Sequence, residues 1–149
     1  MRHLFFIHTF CLVFLCLACQ EDKSVDPTIM PEATEVGANT FGCLVDGWVY
    51  TGGRWGSPVA EYALAADSSS MTVSAQVGLA SRFVFAVAHP GEGKTLPCVY
   101  MRFDNREIEG GNVHITRMSD GIFSGTFEGK DVAKGRFDLQ YTDPQGKFE

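Results

Sequence analysis

Several stretches of this chain alternate apolar and polar residues one by one, and this period of two restricts the chain to β-sheet folds. Residues 71–77 show the pattern most clearly, and residues 99–103 and 136–141 repeat it. Successive side chains of a strand point to opposite faces of the sheet, so each stretch predicts a half-buried strand. The residues that we expect to face the core are Met71, Val73, Ala75, Val77, Val99, Met101, Phe103, Phe137, Leu139 and Tyr141.

The residues between these stretches are typical of tight turns. Asp46-Gly47 separates two short β-like runs and predicts a two-residue hairpin. Residues 83–88 are apolar on both faces, which predicts a central strand covered on each side. We therefore predict an all-β fold, either an antiparallel β-sandwich or a flattened barrel of about nine short strands. The sequence leaves the choice between these two architectures open.

The amino terminus has the composition of a secretory signal. Arg2 and His3 precede an apolar run over residues 4–18, and Cys19 comes next. A run of about fifteen apolar residues is too short to span a bilayer comfortably. Residues 16–19 resemble the lipobox of bacterial lipoproteins, and the resemblance implies cleavage after residue 18 and acylation of the Cys19 sulfur. Cleavage by an ordinary signal peptidase, followed by secretion, is the alternative.

The chain beyond the signal divides into a tether and one domain. Residues 19–39 contain scattered acids and two prolines without a hydrophobic period, and they predict an acylated cysteine on a flexible tether. Residues 40–149 have the size of a single β domain. Residues 20–23 are similar to the export signal of Bacteroidetes-type lipoproteins, which implies the outer membrane and exposure at the cell surface. The periplasmic leaflet is the alternative.

Four short segments of the domain carry a family resemblance. They are residues 39–48, 115–118, 123–127 and 135–138. These segments are similar to a family of small Bacteroidetes-type surface and outer-membrane lipoproteins that is classed as a domain of unknown function. The resemblance implies a lipobox followed by an all-β domain. It implies no catalytic or ligand-binding residue, because the shared segments correspond to strand and hairpin positions.

The charge balance and one loop exclude two classes of partner. Loss of Arg2 with the signal takes Lys plus Arg from 12 to 11 against 18 acidic residues, which leaves a net charge of −7. An acidic chain without a basic cluster argues against nucleic acid. Residues 88–95 fit a relaxed phosphate-binding loop, but Pro97 and the strand pattern after it leave no room for the required helix. We interpret these residues as a hairpin loop and expect no nucleotide.

The cysteines allow two interpretations. Cys11 and Cys16 leave with the signal and Cys19 takes the lipid, so Cys43 and Cys98 remain in the domain. In an oxidising compartment these two could form a disulfide that closes a loop of about 55 residues. They could instead be two buried thiols whose Cα atoms lie too far apart to bridge.

The residues with the clearest binding chemistry are aromatic. Trp48, Tyr50 and Trp55 lie around the first hairpin, and exposed rings of this kind form stacking platforms for sugars or protein partners. Because Trp48 and Tyr50 share a strand face, we expect both to be buried, and we expect Trp55 to be exposed. His89 and His114 lack the spacing of a metal site and no nucleophile motif is present. We therefore expect no metal, no cofactor and no enzymatic activity.

These features together predict a lipid-anchored protein of the cell envelope. Its contact with the membrane is the lipid on Cys19, and its β domain binds a glycan or an envelope protein. A structural or accessory subunit of an outer-membrane complex is the first alternative. An extracytoplasmic hydrolase is the second.

Overall fold

The computed structural model describes residues 28–142, and the regular structure among them is entirely β-strand. Antiparallel neighbours joined by short turns account for most of the chain. The strands in chain order are β1 (Thr40–Val45), β2 (Trp48–Thr51), β3 (Val59–Ala65), β4 (Ser68–Val77), β5 (Ser81–Ala88), β6 (Thr95–Phe103), β7 (Arg106–Glu107), β8 (Asn112–Ser119), β9 (Ile122–Gly129) and β10 (Val132–Gln140).

The strands form one curled sheet with the order β2-β1-β10-β9-β8-β6-β5-β4-β3, and β7 pairs with β6 beside this path. Strand β6 belongs to both halves of the sheet, because its first residues pair with β8 and its later residues pair with β5. A bridge between Gly52 and Val77 ties the β2 side of the sheet to β4. The prediction of an all-β antiparallel fold is confirmed, and the curled sheet has the shape of a half-barrel.

Phenylalanine rings from both halves of the sheet form the centre of the core. The ring centroid of Phe127 is 5.2 Å from those of Phe41, Phe83 and Phe85. Phe137 packs on Phe85 at 5.5 Å. Aromatic pairs of this kind contribute about 1 kcal/mol beyond the burial of their area. Around the rings, the four predicted core positions of residues 71–77 are fully buried, so that alternation is confirmed.

Two of the predicted turns are confirmed. Val45 and Trp48 pair directly across Asp46-Gly47, whose φ angles of 51° and 82° lie in the left-handed region that a two-residue hairpin needs. Residues 89–94 join β5 to β6, and Thr95 begins a strand where a phosphate-binding loop would begin a helix. The interpretation of residues 88–95 as a hairpin loop is therefore correct.

The predicted face of Val99 is wrong, because β6 contains a bulge. Val87 pairs with Cys98 while Ala86 pairs with Tyr100, so Val99 is an extra residue without a partner on β5. The alternation changes phase at this point. Val99 is 64% exposed, and Cys98 takes the place against the core.

The two faces of strand β5 are buried to different extents. Phe83, Phe85 and Val87 are fully buried in the core. On the outer face, Val84 and Ala86 are shielded by neighbouring side chains of the same sheet. Strand β5 is central in the sheet, as predicted, and its outer face is covered in part, with Ala86 5% exposed and Val84 half-buried. Of these two outer-face residues, Val84 lines a surface cleft and Ala86 does not.

Residues 31–38, which we call the strap, lie along the outside of β10 before the chain enters β1. Hydrogen bonds from Thr34 and the backbone of residues 36–38 to Asp138 hold the strap there. The second half of the predicted tether is thus docked on the domain and is not free. The predicted signal over residues 1–18 and the predicted lipid site at Cys19 lie outside the described residues.

Candidate functional site

A buried carboxylate fixes the strap to the sheet. Asp138 lies on β10 with its side chain on the outer face, where the alternation of residues 136–141 predicts contact with solvent. It is only 1% exposed, because the strap covers it. Sequence reasoning missed this residue, since in the linear pattern Asp138 is merely a polar position between two core positions.

Five donors converge on the Asp138 carboxylate. Thr34 Oγ1 donates to Oδ2 at 2.6 Å, and Ser124 Oγ donates to Oδ1 at 2.6 Å. The other donors are the backbone amides of Val36, Gly37 and Ala38, at 3.1, 2.8 and 3.1 Å. Burial by itself would raise the pKa of Asp138, but the hydrogen bonds from Ser124, Thr34 and the strap amides outweigh it and lower the pKa to about 2. The carboxylate is therefore charged and fully paired at neutral pH.

Side chains on the sheet also hold the strap through its carbonyl groups. These contacts are Arg136 Nη1 to the Pro31 carbonyl at 2.9 Å, Arg117 Nη1 to the Glu35 carbonyl at 2.6 Å and Gln140 Nε2 to the Gly37 carbonyl at 2.9 Å. The strap is thereby attached at its beginning, its middle and its end. It forms a fixed ridge on the outer face of the sheet.

This ridge is one wall of a cleft over β8, β9 and β10, which we call the strap cleft. The strap cleft has a volume of about 540 Å³, and Ala33 is the strap residue that lines it. Two cross-strand rows of side chains form its floor. The first row is Thr95, His114, Thr126 and Arg136, and the second is Asn112 and Glu128 with Lys134 beside them. Neighbouring strands lie about 4.8 Å apart, so the row of four extends over about 14 Å.

Lys134 reaches the strap cleft from a bulge in β10. The register with β9 shifts between Val132 and Gly135, and Lys134 has a φ of 52°. This left-handed conformation is unfavourable for a residue with a Cβ atom, and strain of this kind often accompanies a functional site. Bulges also redirect side chains beside binding sites. The bulge thus brings the Lys134 side chain to the strap cleft.

The side chains of the strap cleft offer both donors and acceptors to a ligand. His114 Nδ1 lies 2.9 Å from Thr95 Oγ1, which orients the imidazole ring. Glu128 and Lys134 take part in none of the salt bridges among residues 28–142. Their charges remain available, together with the hydroxyl and amide groups of the two rows. Such a lining can form hydrogen bonds with a ligand that carries many hydroxyl groups.

The three aromatic residues selected from the sequence do not meet in one site, and none of them lines the strap cleft. Tyr50 is half-buried, with its ring centroid 4.8 Å from that of Phe103. Trp48 is 73% exposed, so the expectation that it is buried is wrong. It is the first residue of a four-residue edge strand, directly after the hairpin turn, and its ring extends past the core. Trp55 is exposed as expected, with the Arg54 guanidinium 5.3 Å from its ring centroid.

Cys43 and Cys98 are separate thiols, and no disulfide joins them. They lie on β1 and β6, which are separated in the sheet by β10, β9 and β8. Burial raises the pKa of both thiols to about 12. The sequence allows either a disulfide or two separate thiols, and in this structure both cysteines are free thiols.

Residues 28–142 contain no group of three or more His, Cys, Asp and Glu residues placed to hold a metal ion. Nor do they contain a helix that is long and apolar enough to cross a bilayer. Comparisons of the chain with protein-family models, with curated proteins and with solved structures found no match.

Proposed function

We propose that this protein is a lipid-anchored component of the outer membrane, exposed at the cell surface, whose β domain binds a glycan in the strap cleft. The strap cleft supports the glycan-binding part of this proposal, because seven hydrogen-bonding side chains line its volume of about 540 Å³. The anchor and the location rest on the sequence of residues 1–23. In this proposal the lipid is attached to Cys19, and the domain binds its ligand without chemical turnover. Membrane contact is through the lipid.

A glycan matches the cleft in its hydrogen-bonding capacity. Each sugar hydroxyl both donates and accepts, and the cleft provides both kinds of partner within one surface. Glu128 accepts hydrogen bonds, Lys134 and Arg136 donate them, and the hydroxyls of the first row do both. An apolar ligand would leave these groups unpaired, and an unpaired group in a buried contact costs about 1–3 kcal/mol.

The test is calorimetric titration of envelope oligosaccharides into the full-length protein in detergent. We expect His114→Ala and Glu128→Ala each to weaken binding about tenfold, because each removes hydrogen bonds to the sugar. Asp67→Asn changes an exposed residue in the turn between β3 and β4 and serves as the control. Affinity that survives both cleft substitutions, or that is lost in Trp48→Ala instead, would contradict this location. Shortened products after incubation would contradict binding without turnover.

The proposed anchor has its own test. Replacement Cys19→Ser removes the sulfur that acylation requires. We expect this variant to incorporate no palmitate and to leave the membrane fraction. The control Cys98→Ser should incorporate palmitate and stay in the membrane fraction. Labelling of the Cys19→Ser variant would show that the lipid is attached elsewhere.

One observation favours a second function, that of an accessory subunit in a larger envelope complex. Val36 and Val59 are 70% and 47% exposed, and they share a cleft of about 530 Å³ with Ile122 and Tyr141. Exposed apolar side chains that line one cleft are typical of contact surfaces between proteins. Under this function, the double variant Val36→Glu/Val59→Glu loses a co-purifying envelope protein, whereas Leu79→Glu retains it. Leu79 is the matched control, since it is apolar and exposed but lies outside the cleft.

A further inference from the structure

A second cleft lies on the outer face of β3, β4, β5 and β6, and we call it the outer trough. It has a volume of about 440 Å³ and shares no lining residue with the strap cleft. The strand register arranges this face in two cross-strand rows. The rows are Glu61, Thr72, Ala86 and Tyr100, and Val59, Ser74, Val84 and Arg102.

The lengths of the side chains give the trough its shape. Short side chains on β4 and β5 form the floor, and the longer Tyr100 and Arg102 stand along the β6 side. Glu61 stands on the opposite side, on β3. Val84 on the floor is half-buried, and Ala86 beside it is only 5% exposed.

Arg82 and Arg102 are the distinctive groups of the outer trough. Neither takes part in a salt bridge among residues 28–142. Arg82 Nε donates to Ser74 Oγ at 2.9 Å, and this contact orients the guanidinium over the floor. The guanidinium carbon of Arg102 lies 5.7 Å from the centroid of the Tyr100 ring. Two unpaired guanidinium groups on one face are notable in a chain whose net charge is −6.

The two acidic residues of the trough, Glu61 and Asp104, form no salt bridge with these two cations. Asp104 Oδ1 accepts the backbone N–H of Arg82 at 2.7 Å, which uses the carboxylate to hold the strand end. Glu61 lies on β3, on the far side of the floor from Arg102. A ligand in the trough would thus meet the Arg102 guanidinium and the Tyr100 ring on the β6 side, and the Glu61 carboxylate on the β3 side. The Arg82 guanidinium lies between them, over the floor.

We propose that the outer trough binds a saccharide that carries carboxylate groups, such as a chain of uronic acids. A guanidinium group presents its donors in a planar fork that matches a carboxylate, and the matched pair is stronger than a hydrogen bond between neutral groups. The Tyr100 ring offers an apolar face to the carbon side of a sugar ring. Glu61 accepts hydrogen bonds from sugar hydroxyls. The site is separate from the strap cleft, and the proposal does not rest on glycan binding there.

The experiment uses the full-length protein in detergent and polygalacturonate as the probe, with neutral dextran and polyglutamate beside it. We expect polygalacturonate to bind with an affinity that falls as salt rises, and dextran not to bind. Loss of one charge-assisted contact in Arg102→Gln should weaken binding about tenfold or more. Tyr100→Ala should weaken binding as well, whereas Tyr100→Phe should retain it, because only the ring is required.

Arg54→Gln is the matched control. Arg54 is also an exposed arginine beside an aromatic ring, that of Trp55, but it lies outside the trough. We expect this variant to bind polygalacturonate as the wild type does, with unfolding midpoints equal in all variants. Equal weakening in Arg54→Gln and Arg102→Gln would overturn the proposal, because it would show a general charge effect. Absence of polygalacturonate binding would overturn it too, as would polyglutamate binding that is equally tight and equally sensitive to Arg102→Gln.

Discussion

The hydroxyl of Thr34 donates a 2.6 Å hydrogen bond to Oδ2 of Asp138, although 104 residues separate the two in the chain. Ser124 donates to the other carboxylate oxygen from the neighbouring strand β9. The Asp138 carboxylate thus joins the strap, β9 and β10 at one buried point. The wall of the strap cleft depends on this point, because Ala33 is the residue next to Thr34.

Replacement Asp138→Asn should detach the strap. The amide keeps the shape of the side chain but loses its charge, and its NH₂ group would face donors in place of the acceptor that they require. We expect the free energy of unfolding to fall by about 3 kcal/mol, measured by urea denaturation. Hydrogen exchange of the Gly37 and Ala38 amides should become faster in the same variant. Asp131→Asn is the control, since Asp131 is an exposed turn residue, and equal loss in both variants would contradict the special role of Asp138.

The Asp138 carboxylate should also make the free energy of unfolding depend on pH. Its pKa is about 2 in the folded protein and 3.8 in the unfolded reference, so the unfolded state binds the proton more readily. The stabilisation is therefore complete above about pH 5 and is lost progressively as the pH falls to about 1. We expect a loss of about 2 kcal/mol across this interval. In Asp138→Asn this component should be missing, and an identical pH profile in variant and wild type would refute the assignment.

The two thiols of the domain should react slowly while the protein is folded. A pKa of about 12 leaves almost no thiolate at pH 8, and the thiolate is the form that reacts with alkylating reagents. We expect Cys43 and Cys98 to resist iodoacetamide in buffer and to react completely in urea without a reducing agent. Intact masses of the protein with and without reductant should agree. A mass lower by two hydrogens before reduction would reveal a disulfide between them.

Gly125 should not tolerate a side chain. It lies in the middle of β9, and a Cβ atom there would overlap the backbone carbonyl of His114 on β8 and touch the Phe137 ring. We expect Gly125→Ala to lower the free energy of unfolding by about 2 kcal/mol, because the β8–β9 pairing must move apart. Gly56→Ala is the control, since its Cβ would meet only Gln76 at 3.4 Å. Equal denaturation midpoints for the two variants would contradict this close approach.

The parts of the fold that sequence could predict are those that depend on neighbouring residues. The alternation over residues 71–77 fixes which side chains face the core, and Asp46-Gly47 fixes a hairpin through its local conformation. Both signals are complete within a few residues of chain. The all-β class follows from adding several such signals together.

The parts that sequence could not predict depend on residues far apart in the chain. A bulge at Val99 moves this side chain out of the core, and the sequence of β6 contains no pattern that predicts the extra residue. Trp48 is exposed because β2 lies at the edge of the sheet, and its place there is known only from the strand order. Asp138 is buried by a segment about a hundred residues earlier. The strap cleft could not be predicted from sequence either, because its wall and its floor come from distant parts of the chain.

The docked strap sets a limit on where the domain can work. With Pro31 held by Arg136, only residues 20–30 separate an acylated Cys19 from the body of the protein. Roughly eleven residues reach at most about 40 Å when fully extended. An acylated protein would therefore sample only a thin layer of space next to its own membrane. Its ligands would have to be attached to that membrane or to diffuse to it, because the domain could not move farther away to bind them.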